Sequence, residues 1–192
     1  MKINVLFYPV RLSLCTCLLI LTLSACSDSN NNDGSHIIQQ NPPTTFPMPP
    51  LNGKSLNDMG WSIGNDHAKF AEYQGKVLIL DFYATWCGPC RQSIPHLIET
   101  QRRYETRGLS IIGLNVGGPD DPEKVPAFAK ALGITYALGV PDRDLTYFLL
   151  SDNSNIPQTF VFDRKGQLTQ RFIGFGDQTG LEIDQAVENA LQ

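Results

Sequence analysis

The sequence predicts an α/β domain in which helices cover both faces of a mixed central sheet. The main observation is that buried-strand runs alternate with helical patterns from residue 77 onward. The first run, Val77–Leu80, is continuously apolar, which is typical of a strand buried on both faces. A helical pattern follows from Ser93 to Arg107 and ends at Gly108, and Leu109–Leu114 is the next buried strand. This order predicts a parallel βαβ unit.

The second half of the chain supplies the remaining elements. After the polar loop NVGGPDDPEK we predict a helix over Val125–Leu132, a strand near Tyr136–Leu138, a helix near Leu145–Leu150, strands over Gln158–Phe162 and Leu168–Phe172, and a last helix over 180–191. The last two strands flank the glycine-containing turn DRKG, so we expect them to pair as an antiparallel hairpin. The parallel unit and this hairpin together make the predicted sheet mixed.

Residues 1–25 have the pattern of a secretory signal peptide. Lys2 and Arg11 are their only charges, and an apolar run from Leu12 to Leu23 precedes small residues. That run is shorter than the roughly 20 residues that span a bilayer, so an uncleaved membrane anchor is the less favoured alternative. The segment ends in LSAC, residues 23–26, which resembles the lipobox of bacterial lipoprotein precursors.

The lipobox resemblance implies cleavage before Cys26 and lipidation of Cys26. Several acyl chains would anchor the protein stably to the bacterial cell envelope, facing the periplasm or another extracytoplasmic side. We expect residues 26–57, rich in Asn, Ser and Pro, to form a disordered tether. Residues 58–192 are long enough for one compact domain, which we expect to be monomeric. The 15 basic and 19 acidic residues include no basic cluster, which argues against nucleic acid as a partner.

The five cysteines reduce to one free pair if the chain is processed in this way. Cys15 and Cys17 are then discarded and Cys26 is blocked, which leaves Cys87 and Cys90. A disulfide framework needs more bridges, and a zinc site needs a second ligand pair. We therefore predict no metal, and no cofactor beyond a redox-active disulfide. An inert structural disulfide is the remaining alternative, although such bridges normally close longer loops.

Three sequence motifs together resemble the thioredoxin superfamily. ATWCGPC follows the first buried strand, Pro95 lies five residues beyond Cys90, and IPQTFVFDRKG comes near the end of the chain. The insertion between Gly117 and Tyr147 and the lipoprotein-like start are similar to the membrane-tethered TlpA/ResA-like thiol–disulfide oxidoreductases. The resemblance implies a thioredoxin-like fold, with that insertion between the βαβ unit and the C-terminal hairpin.

The two cysteines stand where a predicted strand ends and a helix begins. Unpaired backbone N–H groups and the positive end of the helix dipole would stabilise a Cys87 thiolate there. This thiolate would attack a target disulfide, and Cys90, one helical turn further on, would resolve the mixed disulfide. Gly88 leaves room for the backbone of a partner, and Pro89 suits a first helical turn.

The resemblance also implies that Asp81 is a buried acid beneath the two sulfurs. Burial raises the pKa of a carboxyl group and suits it to accept the proton of the resolving Cys90. The alternative is an acid at the solvated end of a strand. This sequence departs from the superfamily at Gly113, where a lysine often pairs with that acid, so Asp81 is expected to be less restrained.

Three further residues are expected at a substrate-binding surface. Pro157 matches the cis-proline that faces the cysteine pair in this fold, and Ile156 before it would pair its backbone with an extended target peptide. Trp86 is expected either to line the docking surface beside the sulfurs or to pack in the core.

The Gly-Pro pair between the cysteines is the thioredoxin dipeptide and favours a reductase of protein disulfides. An extracytoplasmic reductase works in an oxidising compartment and needs electrons from across the membrane. The resemblance implies a DsbD- or CcdA-like membrane donor.

Two alternative functions remain open. A peroxiredoxin-like thiol peroxidase (an antioxidant enzyme) would need Pro and Thr where this chain has Leu80 and Ala84. A non-catalytic peptide-binding module would share the fold.

Overall fold

The structure, a computed structural model, describes residues 53–192. Within this range seven strands are β1 (Gly60–Ile63), β2 (Asp66–Lys69), β3 (Val77–Tyr83), β4 (Leu109–Asn115), β5 (Ala137–Pro141), β6 (Gln158–Phe162) and β7 (Leu168–Ile173). Four α-helices in the same range are α1 (Gly88–Tyr104), α2 (Val125–Leu132), α3 (Arg143–Leu150) and α4 (Thr179–Ala190). The predicted signal peptide, Cys26 and most of the tether lie outside the described residues and stay predictions.

The strands form one mixed sheet in the order β2-β1-β5-β4-β3-β6-β7. β3, β4 and β5 are parallel to one another, whereas β6 is antiparallel to β3 and β7 is antiparallel to β6. The predicted βαβ unit and the C-terminal hairpin are therefore confirmed. None of the helices between residues 53 and 192 combines the length and apolar content needed to cross a bilayer.

A hairpin at one edge of the sheet was not predicted from the sequence. β1 and β2 pair antiparallel across the two residues Gly64 and Asn65, and β1 also pairs antiparallel with β5. Gly64 has a φ of 60°, in the left-handed region that such a tight turn requires. Trp61 on β1 is fully buried and packs against Tyr73, which attaches the hairpin to the core.

Side chains of β3 alternate between two apolar layers, one on each face of the sheet. Leu78, Leu80 and Phe82 pack in the layer that contains Leu145 and Leu149 of α3. On the opposite face, Val77 and Ile79 pack with residues of α1 and α4, and Tyr83 packs with the start of α1. Helices thus cover both faces as predicted, and the face of β3 that includes Asp81 lies under α1.

Candidate active site

The cysteine pair lies at the first turn of α1, directly after the turn that follows β3. Cys87 and Cys90 are joined by a disulfide bond, with their Cα atoms 5.3 Å apart. Cys87 is the N-cap residue of the helix, and its Sγ accepts a hydrogen bond from the Cys90 backbone N–H at 3.2 Å. Cys87 is 5% exposed and Cys90 is fully buried. A nucleophile from solvent or a substrate thus meets Cys87 first.

The approach to Cys87 is open on the side of the CxxC dipeptide. Gly88 and Pro89 are both exposed, and a Cβ added at Gly88 would meet no atom of residues 53–192 within 4 Å. Pro89 occupies the first helical turn, where its missing N–H breaks no helical hydrogen bond. The dipeptide therefore leaves space beside the sulfur for the backbone of another chain.

The predicted substrate-binding residues lie around Cys87. The Ile156–Pro157 peptide bond is cis, as predicted, and the Ile156 carbonyl oxygen is 3.8 Å from Cys87 Sγ. Trp86 is 65% exposed, so the alternative in which it packs in the core is wrong. Its Nε1 donates a hydrogen bond to the Gly117 carbonyl at 3.1 Å. An exposed indole and a cis-proline loop therefore flank the disulfide.

Asp81 is fully buried on the face of β3 that α1 covers. It opposes Thr159 on β6, whose hydroxyl donates a hydrogen bond to Asp81 Oδ1 at 2.9 Å. Its second oxygen, Oδ2, has no hydrogen-bond partner among residues 53–192. Burial raises the pKa of Asp81 to about 7, although the Thr159 hydrogen bond opposes the shift. The alternative of a solvated acid at a strand end is wrong for this residue.

Gly113 leaves no room for the lysine that often accompanies such an acid. It is the register partner of Asp81 on β4. A Cβ at this position would lie 2.5 Å from Leu138 Cδ2, 3.2 Å from Tyr136 Cε2 and 3.3 Å from Tyr83 Cε1. Aromatic and aliphatic groups thus surround the position opposite Asp81 on β4, and the glycine there supplies no cation that would lower the pKa of Asp81.

A second buried carboxylate, Asp121, holds the turn between β3 and α1, and the sequence did not reveal it. The Thr85 backbone N–H donates to Asp121 Oδ2 at 2.8 Å, and the Thr85 hydroxyl donates to Oδ1. Asn115 at the end of β4 donates its side-chain N–H to Oδ2 at 2.8 Å. Because Thr85 is two residues before Cys87, Asp121 fixes the turn that presents the sulfur.

The hydrogen bonds around Asp121 determine its ionisation. Burial alone would raise the pKa of this carboxyl group, but the hydrogen bonds from Thr85 and Asn115 outweigh burial and lower it. Its charge therefore stabilises the fold at neutral pH, and this contribution is lost as the pH falls through the lowered pKa. The loop NVGGPDDPEK gave no signal that distinguishes buried Asp121 from exposed Asp120.

Replacing Asp121 by alanine is expected to destabilise the fold by about 2–4 kcal/mol, because buried N–H groups of Thr85 and Asn115 lose their acceptor. Asp121→Asn is expected to lose about 1 kcal/mol or less, since an amide can accept from both N–H groups and donate to the Thr85 hydroxyl. Urea unfolding at pH 7 measures both variants. Equal stability of Asp121→Ala and wild type would contradict this role.

The fold and this site define a class of protein: a thioredoxin-like thiol–disulfide oxidoreductase with a CxxC disulfide at a helix N-terminus. Residues 53–171 match the AhpC/TSA family, to which the chain belongs. It is 32% identical over 126 residues to the thiol-disulfide oxidoreductase ResA of Geobacillus kaustophilus, an alignment that covers 66% of this chain and 69% of that protein. It is 29% identical over 144 residues to the thiol:disulfide interchange protein HelX of Rhodobacter capsulatus, covering 73% of this chain and 78% of HelX.

A solved structure supports the fold independently. The thiol:disulfide interchange protein of the thioredoxin family from Chlorobium tepidum superimposes with a TM-score of 0.61 at 24% identity. The match covers 74% of this chain and all of the other. The thioredoxin-like fold predicted from the sequence is thus confirmed, and so is thiol–disulfide oxidoreductase chemistry as the activity of the class.

Proposed function

We propose that the protein reduces protein disulfides on the extracytoplasmic side of a bacterial membrane, through a dithiol–disulfide cycle of Cys87 and Cys90. The observation that carries this proposal is the asymmetry of the pair. Cys87 caps the helix, accepts the Cys90 N–H at 3.2 Å and is reachable, whereas Cys90 is fully buried behind it. This arrangement provides one attacking and one resolving sulfur.

The cycle starts from the dithiol form of the enzyme. The Cys87 thiolate attacks one sulfur of the target disulfide, the target S–S bond breaks, and the other target sulfur leaves as a thiolate and takes up a proton. Cys90 then loses its proton and its thiolate attacks Cys87 Sγ. The mixed disulfide bond breaks, and the second target sulfur leaves as a thiolate and takes up a proton. Two electrons pass to the target, and the enzyme is left with the Cys87–Cys90 disulfide.

Asp81 is the proposed acceptor of the Cys90 proton. Burial raises its pKa to about 7, toward the working pH, which suits a general base. Its Oδ2 lies on the face of β3 under α1 and has no hydrogen-bond partner among residues 53–192, so this atom is available for the proton. The carboxyl group acts through proton transfer only and forms no bond to the substrate.

The proposed docking surface consists of Trp86, Ile156 and Pro157. An extended target peptide would pair its backbone with that of Ile156, whose carbonyl oxygen is 3.8 Å from Cys87 Sγ. The exposed Trp86 ring would cover the apolar side of the target cysteine. This places a target disulfide within reach of Cys87.

The proposed location and electron source rest on the sequence pattern. The signal-like start and lipobox-like LSAC support a protein tethered through lipidated Cys26. Because each turnover leaves the enzyme oxidised, a membrane donor of the DsbD or CcdA kind would return two electrons to the pair. Mass spectrometry of the native protein tests the anchor: an unmodified Cys26 would contradict it.

The redox potential tests the direction of the reaction. With Gly88-Pro89 between the sulfurs, we expect a value within about 60 mV of the −270 mV of thioredoxin. Equilibration of the pure protein in glutathione buffers, with the dithiol fraction read by thiol alkylation, measures it. A value near the −120 mV of DsbA would instead indicate an oxidase. Rapid peroxide consumption without disulfide reduction would favour the thiol peroxidase.

A further inference from the structure

Buried polar side chains attach the loop that carries Ile156 to the sheet. Gln158, the first residue of β6, is fully buried. Its Nε2 donates hydrogen bonds to the carbonyl oxygens of Asn153 and Asn155, each at 2.7 Å. Both N–H donors of the amide are thus used on the segment that leads directly into Ile156.

Arg171 on β7 fixes the orientation of that amide. Its Nε donates to Gln158 Oε1 at 2.8 Å, and its Nη1 donates to Asp152 Oδ2 at 2.7 Å. The Arg171 side chain is only 7% exposed, and its guanidinium lies 5.2 Å from the centre of the Phe160 ring. Because Oε1 accepts from a cation, the NH₂ end of Gln158 must face the loop carbonyls.

Gln158 and Arg171 together form a polar clamp on the segment that precedes Ile156. Asp152, Ser154 and Asn155 in this segment are exposed and have little apolar packing of their own, whereas the Ile156 side chain packs against the core. Gln158 and Arg171 anchor the segment at three successive places, Asp152, Asn153 and Asn155. The next residue is Ile156, whose carbonyl oxygen lies 3.8 Å from Cys87 Sγ.

We propose that Gln158, oriented by Arg171, is a positioning residue for extended protein and peptide substrates. It does not touch the reacting sulfurs; it acts by holding the Ile156 backbone in register with a docked strand. A small disulfide that needs only access to Cys87 does not depend on it. This inference rests on the proposed reduction of protein disulfides at the same site.

Two variants of Gln158 distinguish the effect of its hydrogen bonds from the effect of its side-chain volume. Gln158→Glu keeps the shape and the acceptor for Arg171, but it places an oxygen against the Asn153 and Asn155 carbonyls. Gln158→Met keeps the length and removes both donors. Gln170→Ala, an exposed neighbour of Arg171 on β7, is the matched control. Arg171→Lys removes the hydrogen bond from Arg171 Nε that orients the Gln158 amide. This variant replaces the Gln158 variants in the experiment if they do not fold.

The experiment compares two substrates with dithiothreitol as the electron donor. One is a disulfide-linked peptide and the other is bis(2-hydroxyethyl) disulfide, a small alkyl disulfide, and the rate with dithiothreitol alone is subtracted for each. For Gln158→Glu and Gln158→Met we expect KM for the peptide to rise at least fivefold with kcat within twofold. Rates with the small disulfide should stay within twofold, and the control should match wild type. Thermal unfolding must show each variant folded at the assay temperature.

The possible outcomes are distinct. Unchanged peptide KM in the folded variants would overturn the inference, as would equal slowing with both substrates, because the effect would then lie at the dithiol site. If wild type reduced the small disulfide but not the peptide, the proposed function would fail, and this inference would fail with it. A selective loss with the peptide, in Gln158 variants or in Arg171→Lys, supports the positioning role.

Discussion

Replacing Cys87 by serine is expected to abolish disulfide reduction, with a loss of about 10³-fold or more in rate. A serine hydroxyl is not ionised at neutral pH, so neither the helix N-terminus nor the Cys90 N–H can turn it into a nucleophile. Residues 53–192 offer no substitute, because Cys90, the other cysteine in this range, is fully buried in the first turn of α1. Insulin or peptide disulfide reduction with dithiothreitol measures the loss.

Ser93→Ala is a matched control for this substitution. Ser93 is buried in the same helix, and its hydroxyl donates to the Cys90 carbonyl at 3.0 Å, so it reports the effect of disturbing the helix without removing a sulfur. We expect it to retain most activity. Substantial reduction by Cys87→Ser would mean that a different group attacks the substrate. Peptide binding by wild type and Cys87→Ser alike, with no disulfide reduction by either protein, would favour the non-catalytic binding module.

Replacing Asp81 by asparagine is expected to slow the resolution step by about 10²–10⁴-fold, the usual contribution of a positioned base. The first attack should change little, since the helix terminus still supports the Cys87 thiolate. Mixed disulfides should therefore accumulate at neutral pH and diminish at higher pH, where Cys90 ionises unaided. Stopped-flow reduction of a disulfide substrate across pH measures both steps. Asp120→Asn, an exposed acid, is the control.

The same substitution should change how stability depends on pH. The pKa of Asp81 is near 3.8 in the unfolded chain and about 7 in the native protein. Below pH 3.8 the Asp81 carboxyl group is protonated in both states, and its burial costs no ionisation energy. The free energy of unfolding then falls as the pH rises from 3.8 toward 7, because the unfolded chain ionises this group more readily than the native protein does. At about 1.4 kcal/mol per pKa unit, the loss amounts to about 4 kcal/mol at most. The amide in Asp81→Asn does not titrate, so the variant lacks this loss.

Urea unfolding at pH 4.5 and pH 8 checks this expectation. The stability of Asp81→Asn relative to wild type should increase from the lower to the higher pH. Other carboxyl groups titrate alike in both proteins and cancel in the comparison. A difference that does not vary with pH, together with identical reduction rates and no trapped intermediate, would mean that Asp81 has no role as a base.

Local patterns were sufficient to predict most of the sheet. The apolar runs at Val77–Leu80 and Leu109–Leu114 are buried on both faces, and burial of this kind leaves a continuous signal in the sequence. The β1–β2 hairpin was missed because β2, Asp66–Lys69, is mostly exposed and polar, without alternation. The Gly64-Asn65 pair was the available signal, since such a pair between short runs is typical of a tight hairpin.

The residues of the candidate active site could be predicted where they belong to a short sequence motif. Cys87 and Cys90 are close together along the chain, and the motif around Pro157 is short. Asp121 acts on Thr85, 36 residues away along the chain, and Gln158 is oriented by Arg171, 13 residues away on the neighbouring strand. Tertiary folding brings these polar groups together, so no local pattern distinguishes them from ordinary loop and strand residues.

Capture of the mixed disulfide tests the central claim most directly. In Cys90→Ser the resolving sulfur is absent, so a target disulfide attacked by Cys87 should remain covalently joined to the enzyme. Incubation of the reduced variant with a disulfide-linked peptide, followed by acid quenching and mass spectrometry, is expected to show one peptide bonded to Cys87, released by dithiothreitol. Absence of this adduct, or an adduct that also forms in Cys87→Ser, would contradict the account.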